Sequence, residues 1–171
     1  MTRASLRDVL GALTESAREA LLARNPHLKD EWSLAQREAS GCDARVVVEG
    51  RSIVVTLDGM RLVSEANLRE SWEDRYRRSK RQKRAVAGAL SNTAPPEGSR
   101  YTVTITRLAA RGLDTDNLVG SGKHVRDAIA AWLGLDDGPS APIEWRVTQR
   151  KANTYGVVVR IDGFDAETID L

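Results

Sequence analysis

Five aspartates fall within residues 113–137: Asp114, Asp116, Asp127, Asp136 and Asp137, with Lys123 among them. Carboxylates gathered at one point repel one another unless a divalent cation lies between them. Hard cations such as Mg²⁺ take oxygen ligands, typically a few carboxylates completed by water or substrate phosphate. Such an ion activates water and stabilises the leaving oxygen of a phosphodiester, and a neighbouring lysine can steady the developing charge. Asp114 and Asp116 are two residues apart in a segment whose extended or turn backbone can aim both carboxylates the same way. The same residues also have a plain structural reading. Asp114 caps a helix, Asp116 complements its dipole, Lys123 and Asp127 form an i,i+4 pair, and residues 136–139 make a turn.

The elements that must position these groups follow from periodicity. Residues 117–133 predict a helix. At about 100° per residue it places Asp116, Lys123 and Asp127 within a sector of about 40°, with Leu118, Val125, Ile129 and Trp132 on the opposite side. Upstream, residues 45–49 and 52–58 are rich in valine and isoleucine around Gly50 and predict two strands, read as a hairpin. A long helix over residues 65–90 carries an apolar stripe of Leu68, Trp72, Tyr76, Ser79, Val86 and Leu90. Arg75, Arg77, Arg78, Lys80, Arg81, Lys83 and Arg84 occupy most of its remaining surface. Residues 100–108 alternate Tyr101, Val103 and Ile105 against threonines, predicting a strand with one buried face. Residues 143–150 and 155–162 are two further alternating runs, read as an antiparallel pair. The expectation is an α+β fold, a mixed sheet of about four or five strands with two main helices packed on it. Residues 42–171 form that domain. Residues 1–41 form a helical extension, with an amphipathic helix at 5–23 and a weaker one at 29–39, whose separate use would be to bind a protein partner.

The chain has 171 residues, 26 basic and 24 acidic side chains and a net charge of +2. That total is a cancellation: residues 1–67 carry −1, residues 68–111 carry +7 and residues 112–171 carry −4. The basic middle suits a polyanionic partner, since phosphate neutralisation supplies most non-specific nucleic-acid affinity. A solvated helix face is the alternative use of the same charges. One cysteine, Cys42, excludes an intramolecular disulfide framework and a cysteine-based zinc site, and two histidines, His27 and His124, exclude a multi-histidine centre. Residues 120–123 look like part of a phosphate loop, but its first glycine and the Ser/Thr after its lysine are missing, which argues against ATP. No window approaches the roughly 18 apolar residues that cross a bilayer. The N-terminus lacks the uninterrupted apolar region of a signal peptide, so no membrane association and a cytoplasmic location are expected. The four tryptophans are read as core residues.

The order of these features resembles the RusA-like Holliday junction resolvases of phages and bacteria. The residues that carry the resemblance are Asp114-Thr115-Asp116-Asn117-Leu118, Lys123 with Asp127, Asp136-Asp137, and the strand from Ile143 to Lys151. Upstream, a strand at residues 53–57 leads to an Asn67-bearing loop and a basic helix. In the family's best-known form the lysine follows the asparagine by three residues; here Lys123 follows Asn117 by six. The resemblance covers residues 52–162. It implies a Mg²⁺-dependent, structure-selective endodeoxyribonuclease that cuts branched DNA such as Holliday junctions and acts as a homodimer. Carried over residue by residue, Asp114, Asp116 and Asp137 would bind Mg²⁺ with Asp136 as a further ligand, and Lys123 would serve cleavage. The basic residues from Arg75 to Arg84 would bind DNA. A DNA- or RNA-binding protein with a degraded metal site is the alternative.

Overall fold

The computed structural model describes residues 14–25, 28, 42–64, 69–136, 138 and 140–165. Helix α1 (Glu15–Arg24) starts at Thr14, whose hydroxyl accepts from the Ala17 N–H, and ends at Asn25, whose side-chain amide donates to the Leu21 carbonyl. The remainder of the predicted first helix, before residue 14, and the whole of the second, at 29–39, lie outside the described residues.

Strands β1 (Asp43–Glu49) and β2 (Ser52–Asp58) form the expected hairpin, with Glu49 opposite Ser52. Gly50 takes the first loop position at φ 58°, the left-handed backbone that such a two-residue turn requires. Helix α2 (Trp72–Leu90) begins seven residues later than predicted, because Ser71 caps it: its Oγ accepts from the Asp74 N–H and donates to the Asp74 carboxylate. Strand β3 (Arg100–Ala109) follows, then helices α3 (Thr115–Ser121) and α4 (Lys123–Leu133), then β4 (Ile143–Lys151) and β5 (Gly156–Phe164).

The fold is α+β, with one five-stranded mixed sheet ordered β1-β2-β5-β3-β4. The predicted pairing of β4 with β5 is corrected. β5 lies between β2 and β3, antiparallel to both, while β4 runs parallel to β3 at the edge. The physical reason lies in the side chains. Along β5, Val157, Val159 and Ile161 are fully buried, as suits an interior strand, whereas most of β4 alternates with solvent-exposed Glu144, Arg146 and Thr148. Matched rows such as Ile53, Ile161 and Val103 run across three strands. With Val55, Val159 and Ile105 they build one apolar face, covered by Val86, Ala89 and Leu90 of α2 and Val125 and Ile129 of α4. Burial of each such side chain contributes about 1.5–3 kcal/mol. Among the described residues no helix is long and apolar enough to cross a membrane.

The topology predicts that amide hydrogen exchange is slowest along β5 and β3 and that alternate amides of β4, which face no neighbouring strand, exchange much faster. Uniformly fast exchange along one edge of β5 would contradict the strand order.

Candidate functional site

The site grows from the carboxyl ends of the parallel pair β3/β4. Arg107 occupies the inward position that continues Val103 and Ile105 along β3, and it is only 6% exposed. Its guanidinium cannot shed its charge, so it must find acceptors. Nε donates to the Leu62 carbonyl at 3.0 Å and Nη1 to the Arg111 carbonyl at 2.8 Å, and desolvation pushes its pKa down. One buried cation thus ties the loop after β2 to the loop after β3.

Gln149 of β4 grips the same loop from the other side. Its Oε1 accepts from the Leu113 N–H at 2.8 Å and its Nε2 donates to the Leu113 carbonyl at 2.7 Å. Asp114, the next residue, caps α3: one carboxylate oxygen accepts from the Asn117 N–H at 2.9 Å and the other from the Asn117 side-chain amide at 2.7 Å. Buried Ser64 donates to the side-chain amide oxygen, Oδ1, of Asn117, completing a chain from the β2 loop to Asp114. The backbone hydrogen bond from Asn117, followed by that from its side chain, holds Asp114 below the usual carboxylate range, so the group is anionic and oriented. Asp116 stands exposed in the first turn of α3.

The continuous helix predicted over 117–133 is corrected. It breaks at Gly122, with φ −84° and ψ −3°, into α3 and α4. Gly120 and Gly122 each weaken helix by about 1 kcal/mol relative to alanine. Ser121 turns its hydroxyl back to the Leu118 carbonyl, and Gly122 packs close to the Val147 side chain. Lys123 therefore opens a new helix, and the single sector predicted for Asp116, Lys123 and Asp127 is lost.

A different grouping replaces it. α4 ends in Gly134 at φ 69°, with Leu135 N–H bonded to Ala130 O and Gly134 N–H to Ala131 O, a left-handed cap that folds the chain back along the helix. Lys123, Asp127 and Asp136 consequently line one open depression of about 370 Å³, joined by Lys83 from α2. Lys83 Nζ lies 2.8 Å from Asp127, and the neighbouring turn of the two helices is linked by Ser79 and His124 Nδ1 at 3.2 Å. Asp114 and Asp116 do not line this depression. Asp137, the third expected ligand, lies outside the described residues. Among the described residues no group of three or more histidine, cysteine or acidic side chains is placed to share a metal.

The seven basic residues of α2 divide by environment. Arg77 pairs with Glu73 and Asp74, half-buried Arg78 with Glu70, and Lys83 with Asp127. Arg75, Lys80, Arg81 and Arg84 are exposed. The aromatic reading is corrected for part of this helix, because Trp72 and Tyr76 are exposed rather than in the core. They precede the turns of α2 that reach the sheet; its buried apolar residues begin at Ala85. Trp132 and Trp145 are partly buried against the core, as expected, whereas Trp32 lies outside the described residues. Arg107, Gln149 and Ser64 were not singled out from sequence. An arginine at an inward strand position was the available signal for the first; the other two act through the fold and leave none.

No family model matches the chain, and comparison with curated proteins gives no match. Among solved structures, the OmpA-like domain of FopA1 from Francisella tularensis subsp. tularensis SCHU S4 aligns at 17% identity with a TM-score of 0.33. The alignment covers 77% of this chain and 85% of that one. At that score the likeness supports no statement about this chain.

Because the folded pKa of Asp114 is lowered, its contribution to stability is fully present above the ordinary carboxylate value of about 4 and is lost as pH falls through the lowered value. The difference in urea midpoint between wild type and Asp114→Asn is expected to be constant near neutrality and to close in acid. A difference that persists unchanged below the folded pKa would contradict the capping role of the ionised carboxylate.

Proposed function

We propose that the chain is a metal-dependent endodeoxyribonuclease of the RusA-like kind, acting on branched DNA as a homodimer. The observation that carries this reading is the depression where Lys123, Asp127 and Asp136 meet Lys83 of the basic helix. There the later acidic segment and the lysine of the resemblance come together beside cations suited to phosphate. Further support comes from Asp114, held ionised and oriented by Asn117, and from exposed Asp116 two residues later in the first turn of α3.

The donors are carboxylate oxygens, the chemistry a hard cation takes, and Asp114, Asp116, Asp136 and Asp137 are the residues that would hold Mg²⁺. Bound there, the ion would supply Lewis acidity and an activated water for phosphodiester hydrolysis. The chain's own groups do the rest. Arg107, Gln149 and Ser64 fix the loop that carries Asp114, and a cation would have to draw the Asp114 oxygens from Asn117 and bring the loop after α4 to them. Lys123 would offer a cation to the non-bridging oxygens as negative charge builds on them. A two-fold dimer would match the symmetry of a four-way junction, which needs two symmetric cuts.

A DNA- or RNA-binding protein without cleavage is the second reading, favoured by one observation: both Asp114 oxygens are already engaged by Asn117, and Asp127 by Lys83. Incubation of a synthetic four-way junction with the protein, with and without Mg²⁺, separates the two. The expected result is Mg²⁺-dependent nicking that Asp116→Asn reduces by at least about 100-fold, more than the loss typical of an outer-shell partner, with junction binding retained. Binding without nicking in either Mg²⁺ or Mn²⁺ would overturn the nuclease reading.

A further inference from the structure

Two large aromatic side chains on the basic helix are left in solvent. Trp72 is 73% exposed and Tyr76 56% exposed. They sit four residues apart, so they are neighbours on α2, and Lys80 and Arg84 follow at the same spacing in a row that winds by about 40° at each step. Counted at about 1.5 Å per residue, the row runs for about 18 Å. Of the side chains that pack on the core, Ala85 and Ala89 lie on the opposite face of the helix, whereas Val86 and Leu90 share the angular position of Trp72 several turns further on, where the helix has reached the core; Trp72 and Tyr76 precede that point and stay in solvent. Folding therefore does not account for the exposed row.

The geometry within the row is that of an open platform. The Trp72 and Tyr76 ring centroids are 6.2 Å apart and the planes are tilted by 53°, so the rings do not cover each other face to face. The Lys80 ammonium lies 5.6 Å from the Tyr76 centroid, putting a cation beside an aromatic face. Arg75 and Arg84 are exposed and have no ion-pair partner among the described residues. Lys83, the neighbour of Arg84 in the chain, pairs with Asp127 in the depression that also holds Lys123 and Asp136, so the C-terminal end of the row leads to it.

Aromatic faces interleaved with cations along a strip are the chemistry that binds single-stranded nucleic acid. Bases stack on the rings and phosphates meet the cations, with little regard for sequence. A duplex offers phosphates to such a strip but keeps its bases stacked on one another. We propose that Trp72, Tyr76 and Lys80 form a stacking ladder for unpaired bases, which leads a single strand of a branched DNA toward the Lys83–Asp127 depression. This rests on the DNA-binding reading above and adds to it which part of the substrate α2 reads. The cations from Arg75 to Arg84, which outnumber the acids Glu70, Glu73 and Asp74 at the Trp72 end, favour a polyanion over a second copy of the chain; burial of the two rings in a dimer is an outcome that the test distinguishes.

The test uses the full chain without divalent metal, so that binding is read without cleavage. The probes are a single strand, a forked duplex and a blunt duplex, each with 2-aminopurine at one position, and the proteins are wild type, Trp72→Ala, Tyr76→Ala and Trp72→Phe. Wild type is expected to prefer the single strand and the fork over the blunt duplex and to change the 2-aminopurine emission at the unpaired position. Trp72→Ala and Tyr76→Ala are expected to weaken single-strand binding by about ten-fold or more while leaving duplex affinity and its salt dependence within about two-fold. Trp72→Phe should restore most of the loss. Equal weakening on all three probes, or no weakening on any, overturns the ladder while wild-type DNA binding keeps the parent reading alive. A change in oligomeric mass of Trp72→Ala, with unchanged preference among the probes, assigns the rings to a dimer interface and likewise overturns it. Wild type that binds none of the three probes overturns both.

Discussion

Strands β3 and β4 run side by side in the same direction, register Tyr101 with Ile143 through Ala109 with Lys151. A parallel pair cannot be closed by a tight turn; the chain must cross over the sheet and return to the starting end. Here the crossover is α3 and α4, and its geometry sets most of what surrounds the candidate site. The loop that leaves β3 emerges beside the end of β4, where Gln149 can hold Leu113 by both of its amide hydrogen bonds. That grip places Asp114 at the start of α3. The return from α4 brings Asp136 back beside Asp127 and Lys123.

The same crossover explains why polar groups are carried so near the core. Arg107 lies on the inward face of β3 in a row otherwise filled by valine and isoleucine, and an unpaired cation there would be costly. Two backbone carbonyls from separate loops satisfy it, Leu62 before α2 and Arg111 before α3. The Ser64–Asn117–Asp114 chain joins the same two loops again nearer the surface. The depression is bounded by a third link, Lys83 to Asp127, which fixes α2 against α4. Arg107, Asp114 through Asn117, and Asp127 are thus tied to a second element, and the exposed part of α2, with Trp72 and Tyr76, projects beyond these ties.

Much of this architecture was legible in the sequence because it follows from local pattern. The β1/β2 hairpin is written in valine-rich runs around Gly50, and β3 in the alternation of Tyr101, Val103 and Ile105 with threonine. Pairing of strands distant in sequence was not legible in the same way. β4 and β5 are adjacent in the chain and alternate similarly, but the denser apolar run of Val157 to Ile161 belongs to an interior strand. For the site, Lys123 and Asp127 share a face of α4 as their i,i+4 spacing implies, the break at Gly122 separates Asp116 from them, and the left-handed cap at Gly134 brings Asp136 back beside them. Trp72 was read as core because its spacing matches Val86 and Leu90. Spacing reports which residues share a face and is silent on how far a helix extends past the sheet it packs on.

The proposed metal site requires carboxylates from the loop before α3 and the loop after α4, which do not line one depression here, to meet on one hard cation. Titration of the isotopically labelled protein with substoichiometric Mn²⁺, followed by NMR, tests it most directly, because a paramagnetic ion broadens only the signals of groups close to it. For such a site the amides around Asp114–Asn117 and around Asp136–Gly138 are expected to broaden together at the same low Mn²⁺ concentration and to recover when Mg²⁺ is added in excess. Broadening confined to one of the two segments, or spread evenly over all exposed acidic residues, would contradict it.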